Sequence, residues 1–195
     1  MQADRADPTE EQAARDLRAL IARIGFTAPL GVLATEGDAG PPCDVVFEGT
    51  PVRCLADETI LLEPPGLAPI AVTALSKTRG RVREPEWLRD LFARGPSAAH
   101  RVVISHAPDF VDALPAPIAL ALAGHTHGGQ VVLPVFGPLR TGTRLPRRYA
   151  GDLHDFAGTP LHVTRGVGME RDFAPLVRFL CPPEICVLDV RLPVR

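Results

Sequence analysis

The chain has 195 residues, of which 46% are hydrophobic, and a formal net charge of -2. That length supports one domain with a real core. The composition excludes a disordered chain and a nucleic-acid binder held by bulk positive charge. The N-terminus, MQADRADPTEEQ, is polar and acidic and unlike a signal peptide, and no apolar run reaches the length of a membrane span, so the chain reads as cytoplasmic.

Residues 7 to 24 read as a helix, with Asp7 as cap, Pro8 at the first helical position and Glu10 reaching back. Ala13, Leu17, Leu20, Ile21 and Ile24 share one face, and Gly25 ends the helix. Short apolar runs follow, at 31–35, 52–55, 59–62 and 70–75, with Gly- and Pro-rich turns between them, and these predict strands. EPEWLRDLFARG (84–95) returns to helical spacing. RVVIS (101–105), IALAL (118–122), QVVLP (130–134), LHVT (161–164) and EICVLDV (184–190) read as further strands, with a short apolar turn at FVDAL. Four cysteines, Cys43, Cys54, Cys181 and Cys186, lack a CxxC pair and read as ordinary core or loop residues rather than zinc ligands, with a disulfide as the second alternative. One α/β domain spanning residues 1–195 is the simplest account.

The chemistry collects at strand ends. RVVIS runs into His106, and IALALAG runs into His125 and His127. Side chains two apart in an extended segment point the same way, so His125 and His127 share a direction if the backbone stays extended there. Gly124, Gly128 and Gly129 permit tight turns and a close ligand approach. Neutral imidazole is the commonest metal ligand, and α/β sites form at strand ends. A lone histidine at a strand end is usually a polar cap; the combination of three is what points to a metal.

Four segments in this order, SHAPD (105–109), GHTHGGQ (124–130), TRGVG (164–168) and RFLCPPEI (178–185), resemble the C-terminal half of the calcineurin-like metallophosphoesterases. The likeness is strongest to the bacterial branch of small membrane-associated phosphodiesterases and lipid-pyrophosphate hydrolases. APLGVLATEGD (28–38) is similar to the strand that leads into that family's GNHD loop. The resemblance implies a two-sheet sandwich flanked by helices and one or two divalent ions (Mn, Fe, Zn or Mg) that polarise phosphate and activate a water. By resemblance His106 and His125 bind one metal and His127 the other, while Asp38 stands where the family has a metal-binding asparagine.

The chain departs from that pattern. The only Gly-Asp pairs are at 37–38 and 151–152, and the only Asp-x-His, Asp152 to His154, falls in the second of these, GDLHD; both come too late in the order to serve as the family's early DxH and GDxxD motifs. Ala39 replaces the histidine of GNHD and can neither donate a proton nor pair with an oxyanion. Because the first helix begins near Asp7, Met1 falls where the bridging-aspartate loop would end. The expectation is therefore an N-terminally incomplete member, with a mononuclear or empty centre. Its bared sheet edge and apolar surface would be covered by a second copy, another protein or rearranged packing.

Asp109 reads as an acceptor that orients His106 or, preferentially, as the cap of the turn after it. Arg165 is a candidate phosphate contact, with a surface arginine as the plainer reading. GDLHD (151–155) reads as a turn and RLPRRY (144–149) as a solvated basic face; His100 and His162 receive no role. The function expected is metal-dependent hydrolysis of a phosphomonoester, phosphodiester or pyrophosphate. The substrate would be a small molecule or lipid, handled in the cytoplasm or at the membrane periphery, with no nucleic-acid partner. The alternative is a degenerate fold kept as a non-catalytic binding module.

Overall fold

A computed structural model describes residues 8–170 and 175–191. The first helix is α1 (Pro8–Ile24), with Glu10 and Glu11 in its first turn and Arg23 in its last, each charge placed to favour the helix dipole. Gly25, at φ 60°, ends it, and Phe26 N donates back to Ile21 O. The cap expected at Asp7 lies outside the described residues. Among the described side chains of α1, Ala14 and Ile21 are the buried apolar ones; Leu17, Leu20 and Ile24 stay exposed.

A small parallel pair follows, β1 (Val32–Ala34) and β2 (Val52–Cys54), with the short helix α2 (Cys43–Val46) between them. Cys43 and Cys54 form a disulfide, Cα to Cα 5.9 Å, which corrects the reading of all four cysteines as unpaired. Spacing along the chain carried no trace of it; the hairpin-like return from α2 to β2 brings the two together.

The main sheet has six strands: β3 (Glu58–Leu62), β4 (Ile70–Leu75), β5 (His100–Ser105), β6 (Leu120–Ala123), β9 (Asp152–Phe156) and β10 (Thr159–Val163). Their order is β3-β4-β5-β6-β10-β9. The four inner strands run parallel, and β3 and β9 close the edges antiparallel. Inner strands of a parallel sheet are covered on both faces, which is why IAVTAL reads as a continuous apolar run. The helix α3 (Pro85–Arg94) makes the crossover from β4 to β5 and buries Leu88 and Leu91. These join Leu75, Val103, Phe110, Ala121, Leu161 and Val163 in one core. A third sheet pairs β7 (Val132–Leu133) with β8 (Gly137–Pro138).

Three elements differ from the sequence reading. GDLHD is strand β9, not a turn: Ala157 and Gly158 both take positive φ and make the two-residue hairpin that pairs β9 with β10. An Ala-Gly corner lacks the usual Asn or Asp signal, so it escapes notice. Residues 184–190 form no strand. Ile185 and Val187 are almost fully exposed, because no neighbouring strand offers them a ladder. QVVLP shortens to the two residues of β7. No described helix is long and apolar enough to cross a membrane.

Candidate metal centre

The site forms where strands end. β1 leads into the loop carrying Asp38, β5 delivers His106 directly after Ser105, and β6 delivers His125 two residues after Ala123. Carboxyl ends of parallel strands are where α/β folds place their ligands. The ligand atoms of Asp38, His106 and His125 lie within 4.8 Å of one another. His125 Nδ1 stands 2.8 Å and His106 Nε2 3.1 Å from Asp38 Oδ2, and the two ring nitrogens are 3.2 Å apart.

The His125 ring is fixed by its far nitrogen. Nε2 meets Gly142 O at 3.0 Å, so a proton there leaves Nδ1 as the acceptor facing Asp38. Gly142 has to be glycine: its φ is +67°, and a Cβ would stand 2.8 Å from His125 Nε2. Burial pushes the His106 imidazole below its usual value, more strongly than the Asp38 carboxylate pulls it up. Two imidazole nitrogens and a carboxylate oxygen thus converge on one point. That is a donor set of one hard and two borderline ligands, and it fits a divalent ion such as Mn, Fe or Zn.

His127 is placed differently from the expectation. The segment is not extended: His125 and His127 have φ of 69° and 50°, with Thr126 helical between them. His127 Nδ1 instead meets Gly168 O at 3.2 Å, and it stays outside the three-residue cluster. It still lines the same cavity of about 650 Å³, with Asp38, His106, His125, Glu10 and Glu170. Burial lowers its pKa too, against the pull of the Gly168 carbonyl. Apolar walls come from Ala13, Ala14 and Leu17 of α1, from Val46 and from Met169. A second hollow of about 450 Å³ sits at the opposite ends of β5 and β6, beside His100, Arg101 and Pro117.

The remaining motifs brace this turn. Arg178 donates to His127 O (3.2 Å), Arg165 O (2.7 Å) and Gly168 O (2.5 Å). Gln130 donates to Pro175 O and accepts from Glu170 N, both at 2.6 Å. The Cys181 thiol donates to His127 O. A Cβ on Gly128 would stand 2.6 Å from Cys181 Sγ, and one on Gly129 2.3 Å from Pro138 Cβ, so the two glycines are packing requirements.

Two expected roles are corrected. Arg165 is not a wall of the cavity; its guanidinium pairs with Asp152 (2.6 Å) and Glu184 (3.3 Å), which makes it a brace between β9 and the segment after Arg178. Asp109 neither caps the turn, whose capping position is Ala107, nor touches His106. Buried, it accepts from Thr143 Oγ1 (2.9 Å) and Arg144 N (2.8 Å). It therefore holds the loop whose Gly142 carbonyl orients His125. Sequence reasoning missed Arg81, which reaches Asp38 Oδ2 and lies 2.8 Å from His125 Nε2; no motif marks it.

Two curated proteins share sequence with this chain. One is the uncharacterized metallophosphoesterase YkuE of Bacillus subtilis (strain 168), 38% identical over 91 residues. The other is the phosphodiesterase YaeI of Escherichia coli (strain K12), 34% identical over 91 residues. Each match covers 46% of this chain and only 30% or 32% of the relative. Neither a family model nor a solved structure matches the chain. The chain spans about a third of the length of the curated relatives it matches, and over those 91 residues it is similar to proteins named a metallophosphoesterase and a phosphodiesterase.

Proposed function

We propose that the chain is the metal-gripping part of a phosphoesterase, hydrolysing a phosphomonoester, phosphodiester or pyrophosphate of a small molecule or lipid. The observation that carries this reading is the convergence of Asp38, His106 and His125 within 4.8 Å at three strand ends. A divalent ion held there supplies Lewis-acid polarisation of a phosphoryl oxygen and acidifies a bound water. The lowered pKa of His106 favours a free lone pair for a metal, and the Gly142 carbonyl sets the tautomer of His125. His127, on the wall of the same cavity, faces whatever binds beside the cluster. A two-sheet sandwich fits the separate β1–β2 pair, which stands apart from the six-stranded sheet.

Mn²⁺ added to the purified chain should produce cleavage of an aryl phosphodiester, and His125→Ala should abolish it. No turnover with any divalent ion sinks the catalytic reading. A second reading, a non-catalytic binding module, is favoured by Ala39, which lines the cavity beside Asp38 where a proton donor is wanted. Partner binding that survives both a chelator and His125→Ala would support it. Exposed Leu17, Leu20 and Ile24 on α1 fit a surface covered by a second copy or another protein.

A further inference from the structure

The turn after β4 carries three cations, and each has a different carboxylate. Lys77 reaches Glu36 at 3.7 Å. Arg79 pairs with Glu84 and lies over the Trp87 ring, 4.5 Å from its centre. Arg81 alone of the three turns into the cluster: Nη2 contacts Asp38 Oδ2 and lies 2.8 Å and 3.2 Å from the two ring nitrogens of His125. Its placement is built in by the residue before it. Gly80 is buried, and a Cβ there would stand 2.1 Å from Ser105 Oγ. Only glycine lets the turn press against the end of β5, one residue from His106, and so bring Arg81 to the site.

An arginine is charged at every physiological pH. Its guanidinium and a divalent ion cannot both sit in contact with Asp38 Oδ2 and His125, since two positive charges at that range repel and would share the same acceptors. We propose that Arg81 is an internal cation that competes with the metal for the Asp38–His125 side of the cluster, so that loading the ion requires the guanidinium to swing out. The inference rests on the reading of this cluster as a metal site. Arg81 is half exposed, so an outward position in solvent is open to it and displacement needs no repacking of the core.

The test is a direct Mn²⁺ titration of the full chain by calorimetry, wild type against Arg81→Met, with Arg81→Gln as the substitute should the first fail to fold. Removal of the competitor should tighten Mn²⁺ binding about tenfold, within the range of ordinary coupling. Unchanged or weaker binding overturns the proposal and leaves the metal site standing. A second measurement needs no variant. Phenylglyoxal modification of Arg81, followed by peptide mass spectrometry, should quicken severalfold when Mn²⁺ is added; an unchanged rate overturns the proposal. Binding of no Mn²⁺ by either form overturns it together with the metal-site reading.

Discussion

The two sides of the candidate centre are built to different standards. His106 and His125 issue from inner strands of the six-stranded sheet, above a core in which Phe110, Val103 and Leu161 are wholly buried. The turn that follows His125 is tied to three other segments by Arg178, Gln130 and Cys181. Asp38 comes from the other side, α1, β1, α2 and β2. There the strands are three residues long, α2 buries no side chain, and a disulfide does much of the holding. One ligand is thus offered by a lightly packed flap and two by a rigid sheet. A metal shared between them would be a cross-link of tertiary structure as well as a cofactor.

The largest expected contrast is in stability. Phe110→Ala should cost about 3–5 kcal/mol, because it empties a filled core site, while Leu20→Ala on exposed α1 should change stability by less than about 0.5 kcal/mol. Urea melts of both variants decide it, and comparable losses would erase the distinction between the two sides. Next comes His125→Ala, which should weaken Mn²⁺ binding at least about a hundredfold, a loss beyond what orienting partners produce. Calorimetry reads the change. Cys43→Ser with Cys54→Ser should cost about 2–3 kcal/mol by freeing the unfolded chain. If the flap is tethered as argued, Mn²⁺ affinity should fall with it, whereas undiminished affinity would show that Asp38 needs no such tether.

Asp109→Asn should weaken Mn²⁺ binding about tenfold through the 142–144 loop while leaving the far-ultraviolet circular dichroism intact. Unaltered affinity would confine Asp109 to folding. The smallest effect concerns pH. His106 and His127 have lowered pKa values in the folded state, chiefly through burial. Between those values and about 6.5 the unfolded chain binds more protons than the folded one, so stability should fall as pH drops below about 6.5. Chelated protein should melt lower at about pH 5.5 than at about pH 7.5, and His106→Gln should flatten part of that slope.

Much of the fold was legible because inner parallel strands write themselves as apolar runs: IAVTAL, RVVIS and IALAL became β4, β5 and β6. Residues 184–190 have the same look and no strand, since a strand needs a neighbour and periodicity cannot supply one. The strand β9 hid behind polar residues that its edge position tolerates. At the site, His106, His125 and Asp38 were legible as candidates from strand ends and from resemblance. A shared direction for His125 and His127 rested on an extended backbone, which the turn at Thr126 replaces; the second-metal role came from resemblance alone.

The sequence by itself determined which side chains could hold an ion and which strands would carry them, because local apolar pattern and residue chemistry survive without a partner. Tertiary structure alone decided the rest. It aimed Arg81 into the cluster, closed Cys43 on Cys54, and gave Arg165 to Asp152 and Glu184 and Asp109 to the 142–144 loop. Each of those choices depends on distances between segments far apart in the chain, and such distances are set by packing of the whole sheet.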